Sequence, residues 1–290
     1  MNLVYAIILG AIQGVTEFLP ISSTAHLTLA GEAFHLVDPA HPELWTQFMA
    51  VIQLGTMAAV IVYFWSDLLA MISSFFRDAA SGALLRGVET WAPATRLAVL
   101  VIVGTVPVAI IGLTLKHAIE GTFTKSLTVI ACSLIALALL LWLAEKTARH
   151  LRDLTRLTWI DALAVGLAQA FALIPGSSRS GTTITAGLFL GLKRADAARF
   201  SFLLSIPAVL ASGLFELYES FKLPGGVHAL GIGNLAVGIV VSGVTGYAAI
   251  AWLLRYLMKN TTMVFIWYRL ALGLLILALL IAGVVSGPLA

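Results

Sequence analysis

Apolar residues run along this chain in long unbroken stretches rather than in alternating or heptad patterns. Six stretches stand out, at about 46–65, 94–115, 124–144, 198–215, 233–254 and 262–284. Each holds about 20 residues, enough to cross the ~30 Å hydrocarbon core of a bilayer as a helix. None keeps the polar face that a helix on a soluble protein needs. The pattern therefore predicts an all-α polytopic membrane protein. The stretch 67–87, "DLLAMISSFFRDAASGALLRG", differs: its apolar positions recur near helical spacing between charges, which predicts a helix lying in the interface.

Two segments break the spanning pattern in the same way. Residues 3–19 would form a helix only ~26 Å long before Pro20 stops it. A second short apolar helix then runs to about residue 36. Residues 159–192 repeat this design around Pro175. Each reads as a re-entrant hairpin with a polar elbow, a backbone tolerated at membrane depth where it lines a cavity or is buried in protein. Aligned on the prolines, "PISST" meets "PGSSR", which pairs Ser22 and Ser23 with Ser177 and Ser178. The later spans also rhyme: "FMAVIQLGTMAAV" with "FSFLLSIPAVLAS", and "RLAVLVIVGTVP" with "NLAVGIVVSGVT". The chain is thus expected to hold two repeats in one membrane domain. Repeat 1–150 has hairpin 3–36 and spans at about 46–65, 94–115 and 124–144. Repeat 151–290 has hairpin 159–192 and spans at about 198–215, 233–254 and 262–284. Three crossings per repeat is odd, so the second repeat enters from the opposite side and the two topologies are inverted, as in many transporters.

Loop charge sets the expected orientation. On one side lie Arg77, Arg86, Arg96, Lys146, Arg149, Arg152, Arg156, Lys193, Arg194, Arg199, Arg255 and Lys259; on the other, Lys116, Lys125 and Lys222. Arg179 and Arg269 lie within membrane segments and were set aside from this count. The basic side is expected to be cytoplasmic, which puts both termini outside and lets the first hairpin enter from the outer face.

Composition agrees. The chain of 290 residues is 60% hydrophobic and 11% charged, with a mean hydropathy of +1.01. Its basic residues follow the membrane boundary instead of gathering on an aqueous face, so a nucleic-acid partner is not expected. The single cysteine, Cys132, offers neither a disulfide nor a thiolate metal cluster and reads as a small core residue. The N-terminus has no basic residue before its apolar run, and no removable signal peptide is expected. Oligomeric state is not legible, and a homodimer stays open.

The chemistry lies in the elbows. An ionised carboxylate at membrane depth is costly unless paired or wet, and so points to function. Gln13 and Glu17 stack on one face of the first helix. Ser22, Ser23 and Thr24 follow at the start of the next, with His26 one turn further in. The second elbow, "PGSSRSGTT", brings Gly176, Ser177, Ser178, Arg179, Ser180, Thr182 and Thr183 to another helix start. Helix N-termini attract anions, a guanidinium forks onto phosphate oxygens, and glycine lets backbone approach a ligand. Gln53, in mid-span, is placed to join them. Taken singly, each residue has a packing explanation. A serine pair after proline is an N-cap; Arg179 could serve as the counter-ion of Glu17; Gln13 and Gln53 could be interhelical glue. Their joint occurrence in two related elbows favours an oxyanion site, most simply for phosphate.

The segments "QGVTEFLPISSTAH" and "PGSSRSGTT" resemble the two signature motifs of the bacitracin-resistance type undecaprenyl-diphosphate phosphatases. "VIQLGT" and "FSFLLSIP" are similar to that family as well, so the likeness covers nearly the whole chain. Position 13 is Gln where many members carry Glu. The resemblance implies an enzyme of the bacterial plasma membrane, open to the outer side, that hydrolyses a polyprenyl diphosphate and so recycles the carrier lipid of cell-wall synthesis. It also implies a divalent cation, Mg²⁺ or Ca²⁺. On this view Glu17, with Gln13, holds the metal; Arg179 and the amides of 176–180 clamp phosphate; and Ser23 or Ser22 attacks phosphorus while His26 moves the proton. Attack by water or by His26 stays open. The rival expectation is a transporter or lipid flippase, because inverted repeats with broken helices are transporter architecture.

Overall fold

The computed structural model describes residues 2–36, 42–114, 126–222 and 231–284. Within them the chain is helical: α1 (Leu3–Phe18), α2 (Ser23–Ala33), α3 (Pro42–Tyr63), α4 (Trp65–Ala80), α5 (Ala83–Arg86), α6 (Pro93–Thr114), α7 (Leu127–Thr147), α8 (Trp159–Ala170), α9 (Arg179–Phe189), α10 (Arg194–Lys222), α11 (Ile232–Leu257) and α12 (Met263–Ile281). By length and composition, α6, α7, α10 (to Phe215), α11 and α12 can each cross a membrane; a sixth crossing counts α3 and α4 together, bent by 67° at their junction. This is a multi-pass membrane protein. Helix α4 turns out of the span direction. It buries only Met71, Ser74 and Asp78 and leaves Leu69, Ile72, Phe75 and Phe76 uncovered, as an interfacial helix does.

The two hairpins are built from short helices. Helix α1 has 16 residues, ~24 Å by helical rise, and α8 has 12, ~18 Å, so neither reaches across ~30 Å of hydrocarbon. Asn2 caps α1 by accepting from the Tyr5 N–H at 3.0 Å, and Leu19 turns extended (ψ 141°) before Pro20. At α8 the Thr158 and Asp161 side chains form a reciprocal capping box. That helix then tightens into a 3₁₀ turn, Phe171–Leu173, ahead of Pro175.

Each hairpin leans on the opposite half of the chain. Helix α1 packs chiefly on α11, and α8 on α6. Glycine makes both contacts backbone to backbone. A Cβ on Gly14 would lie 2.5 Å from the Ser242 carbonyl oxygen and 2.7 Å from the Gly246 nitrogen, and one on Gly166 would lie 2.1 Å from the Gly104 oxygen. Helices α3 and α10 pack between these pairs, and α7 packs against α12. The main core runs from Phe18, Met57 and Phe64 through Leu100, Val165 and Leu188 to Phe200, Phe202 and Leu253.

The charges expected on the basic side tie the helix ends together there. Glu145 accepts from Arg194 Nε at 2.8 Å and from the Thr262 hydroxyl at 2.8 Å. Arg152 pairs with Asp161 and donates to the Leu190 carbonyl, and Arg96 donates to the Leu157 carbonyl at 2.7 Å. Lys116 and Lys125, on the opposite side of the charge count, lie outside the described residues. Cys132 is exposed on α7 rather than held in the core; the apolar run around it faces outward at that position.

Candidate active site

The elbows have one backbone design. Ser22 caps α2 with φ 75° and ψ 100°, its Oγ accepting from the Ala25 N–H at 3.3 Å. Ser178 caps α9 with φ 68° and ψ 113°, its Oγ accepting from the Gly181 N–H at 3.2 Å. Both helices are 11 residues long. A positive φ at a non-glycine residue is sparsely populated and persists only where its surroundings impose it. The cap geometry also corrects the proline-based alignment by one residue: Ser22 corresponds to Ser178, and Ser23 to Arg179. The cause is one extra residue after the proline: Pro20 stands two residues before its cap and Pro175 three before its own.

Those two residues, first in their helices, converge on one carboxylate. Glu17 Oε2 accepts from Ser23 Oγ at 2.8 Å and from Gln13 Nε2 at 3.0 Å. Its Oε1 accepts from Arg179 Nη2 at 3.0 Å and from Gln53 Nε2 at 3.3 Å. Glu17 is 7% exposed, and the ion pair with Arg179 offsets the cost of a charge at this depth. Arg179 Nε and Nη1 are buried without a partner. In front of the carboxylate opens a cleft of about 200 Å³ lined by Gln13, Glu17, Ser23, Thr24, Leu27, Met49, Ala50 and Gln53. Its lining is mixed: Gln13, Glu17, Ser23, Thr24 and Gln53 are polar, and Leu27, Met49 and Ala50 are apolar.

The remaining predicted residues are placed differently. His26 does not meet Ser23. Its Nδ1 lies 2.7 Å from the Ser22 carbonyl oxygen and can only donate there, so Nε2 is the acceptor for the Tyr268 hydroxyl at 2.6 Å. The two rings stack with centroids 5.6 Å apart. Ser180 Oγ donates to the Leu19 carbonyl at 3.0 Å, a direct tie between elbows. Thr183 turns away from the cleft to Ser201, with the hydroxyl oxygens 2.6 Å apart. Gly176 (φ 86°) makes a close approach to α7, where a Cβ would meet Ser133 Oγ at 2.2 Å and the Ile130 carbonyl oxygen at 2.5 Å. Ser177 is buried and its hydroxyl has no partner.

No group of three His, Cys, Asp or Glu side chains comes together among the described residues. The cleft instead offers oxygen: the Glu17 carboxylate, the side-chain oxygens of Gln13 and Gln53, whose NH₂ groups are the parts spent on Glu17, and the hydroxyls of Ser23 and Thr24. One carboxylate with neutral oxygens suits a hard cation that takes its remaining ligands from a phosphate substrate.

With this geometry in place, comparison with known proteins is decisive. The family model described as bacitracin resistance protein BacA matches residues 6–275. The chain belongs to the BacA family. Among curated relatives, a protein of Syntrophobacter fumaroxidans is 52% identical over 94% of this chain and 95% of its own length. One of Myxococcus xanthus is 52% identical over 99% and 92%, and one of Micrococcus luteus is 44% identical over 99% and 100%. All three are named undecaprenyl-diphosphatase.

Three residues of this BacA-family site escaped sequence reasoning. Tyr268 lies 242 positions from its partner His26, and nothing in the spacing links them. Gln169, completely buried with both amide atoms unpartnered, is the positional equivalent of Gln13 once the caps are aligned. Arg269 donates to carbonyls of both elbows. It carried a signal that the charge count passed over, being a cation within a membrane segment.

Proposed function

We propose that this chain is an undecaprenyl-diphosphatase, hydrolysing undecaprenyl diphosphate to undecaprenyl phosphate and inorganic phosphate and so returning the carrier lipid to cell-wall synthesis. Its relatives' names give the substrate, and the site supports the chemistry. The observation that carries the reading is the meeting of Ser23 and Arg179 on Glu17 beside a cleft lined by both polar and apolar side chains. The diphosphate meets the polar lining around Glu17, and the first prenyl units lie along Leu27, Met49 and Ala50. Arg179 turns its unpartnered Nε and Nη1 to phosphate oxygens and stabilises the charge that grows on them. Ser23 Oγ attacks the terminal phosphorus and its proton passes to Glu17 Oε2, the atom to which it already donates. The bridging P–O bond breaks, undecaprenyl phosphate leaves, and water then cleaves the phosphoserine. His26, held by Ser22 and Tyr268 away from Ser23, serves the proton balance at the edge of the site.

A divalent cation, Mg²⁺ or Ca²⁺, belongs to this reading. Glu17 and the side-chain oxygens of Gln13 and Gln53 would hold it, and it supplies neutralisation of the diphosphate charge. Two inverted repeats, 1–150 and 151–290, also belong to it. The equal cap geometry of the elbows and the reciprocal packing of α1 on α11 and α8 on α6 support them, and the basic helix ends support a cytoplasmic face opposite an outward-opening site.

Turnover tests the reading. Purified protein in detergent, without a gradient, is expected to release inorganic phosphate from a polyprenyl diphosphate when Mg²⁺ or Ca²⁺ is supplied. Lipid flux in liposomes with no phosphate released would instead establish the transporter.

A further inference from the structure

A cation that this chemistry does not use sits where the two elbows meet. Arg269, on α12, is completely buried. Its guanidinium donates only to carbonyl oxygens: from Nε to Leu134 at 3.2 Å, from Nη1 to Pro20 at 3.2 Å, and from Nη2 to Ser133 at 3.5 Å, Gly176 at 3.2 Å and Ser177 at 3.1 Å. No carboxylate of the described residues pairs with it. A buried charge without a counter-ion is retained only when its hydrogen bonds are met and it does something.

The acceptors indicate what it does. Pro20 stands two residues before the cap Ser22, and Gly176 two before the cap Ser178, so one guanidinium grips the equivalent carbonyl of each elbow. Both caps hold a positive φ, and such backbone needs neighbours that over-determine it. Fixing the peptide planes ahead of the caps fixes the direction in which the next residues, Ser23 and Arg179, leave their helices.

We propose that Arg269 is a positioning residue: its buried guanidinium locks the two strained elbows to each other and to α7, so that Ser23 and Arg179 reach the same carboxylate. The proposal rests on the phosphatase reading only where turnover is measured. Backbone hydrogen exchange tests it without substrate. In purified R269K, which keeps the charge and loses the fork, exchange should rise roughly tenfold in peptides covering 19–24 and 175–181 together, with α7 and α11 unchanged. Turnover should fall on the order of 10²-fold, as expected when reacting groups are misplaced by about an ångström. Gly181→Ala gives a second, milder arm. Its Cβ would lie 2.7 Å from Arg269 Nη1 and 3.1 Å from Ser178 Cβ, so it should push that nitrogen off Pro20 and loosen 19–24, with a smaller rise at 175–181. If R269K does not accumulate as folded protein, Gly181→Ala decides by itself. Unchanged elbow exchange in the folded variants overturns the proposal, as does a rise spread evenly over the chain, which marks ordinary core packing. A wild-type protein that releases no phosphate sinks the phosphatase reading and leaves the exchange test standing.

Discussion

The first elbow gathers its side chains on a carboxylate and the second has none of its own. Around Ser22, Gln13, Ser23 and Gln53 donate to Glu17, and His26 meets Ser22 and Tyr268. Around Ser178 the same backbone carries Gln169, Ser177 and Arg179 with buried atoms that have no partner. One difference stands out when the caps are aligned: Leu173 lies where the first elbow has Glu17, so the second elbow has no carboxylate to take up the buried donors of Gln169, Ser177 and Arg179. Two caps of the same backbone geometry thus carry different side-chain chemistry, a carboxylate in one elbow and unpartnered donors in the other.

Four substitutions break or sharpen that contrast. The largest effect is expected at Ser23. Ser23→Ala should reduce phosphate release on the order of 10³-fold or more, as loss of a nucleophile does. Ser22→Ala, its control, should cost about 1 kcal/mol of stability through the lost cap while turnover stays within about threefold. A Ser23→Ala enzyme that keeps most of its rate would assign the attack to water activated by Glu17. Next comes Arg179→Lys, which keeps the charge but not the fork. Turnover should fall on the order of 10²-fold with the protein still folded. A near-normal rate would reduce Arg179 to the counter-ion of Glu17 and place the phosphate elsewhere. The smallest effect is expected at Gln169. An unpartnered buried amide is a liability, so Gln169→Leu should raise stability by about 1 kcal/mol in thermal melts and change turnover by less than about twofold. A marked rise in KM would show that this amide too waits for the anion.

The spans were legible because hydrocarbon permits little else: 233–254 became Ile232–Leu257, and 262–284 became Met263–Ile281. The elbows were legible because proline stops a helix and serine caps one. Register was not, since which serine after Pro175 caps the helix cannot be told from "GSS" alone. Side-chain direction was not either. Thr183 and Gly176 lie in the motif by spacing yet serve packing, while Tyr268 and Arg269 lie outside it and touch it through space. Helical periodicity tells which face a residue occupies, and it cannot say which distant helix covers that face.

The glycines that bring α1 onto α11 and α8 onto α6 have a mechanical consequence. Where backbones touch there is no layer of side chains to shear, and a helix can neither slide nor roll without parting main-chain atoms. Rocking of one half against the other, the usual stroke of a carrier, would have to begin by prying these seams open. These seams therefore resist relative motion of the paired helices more than side-chain packing would.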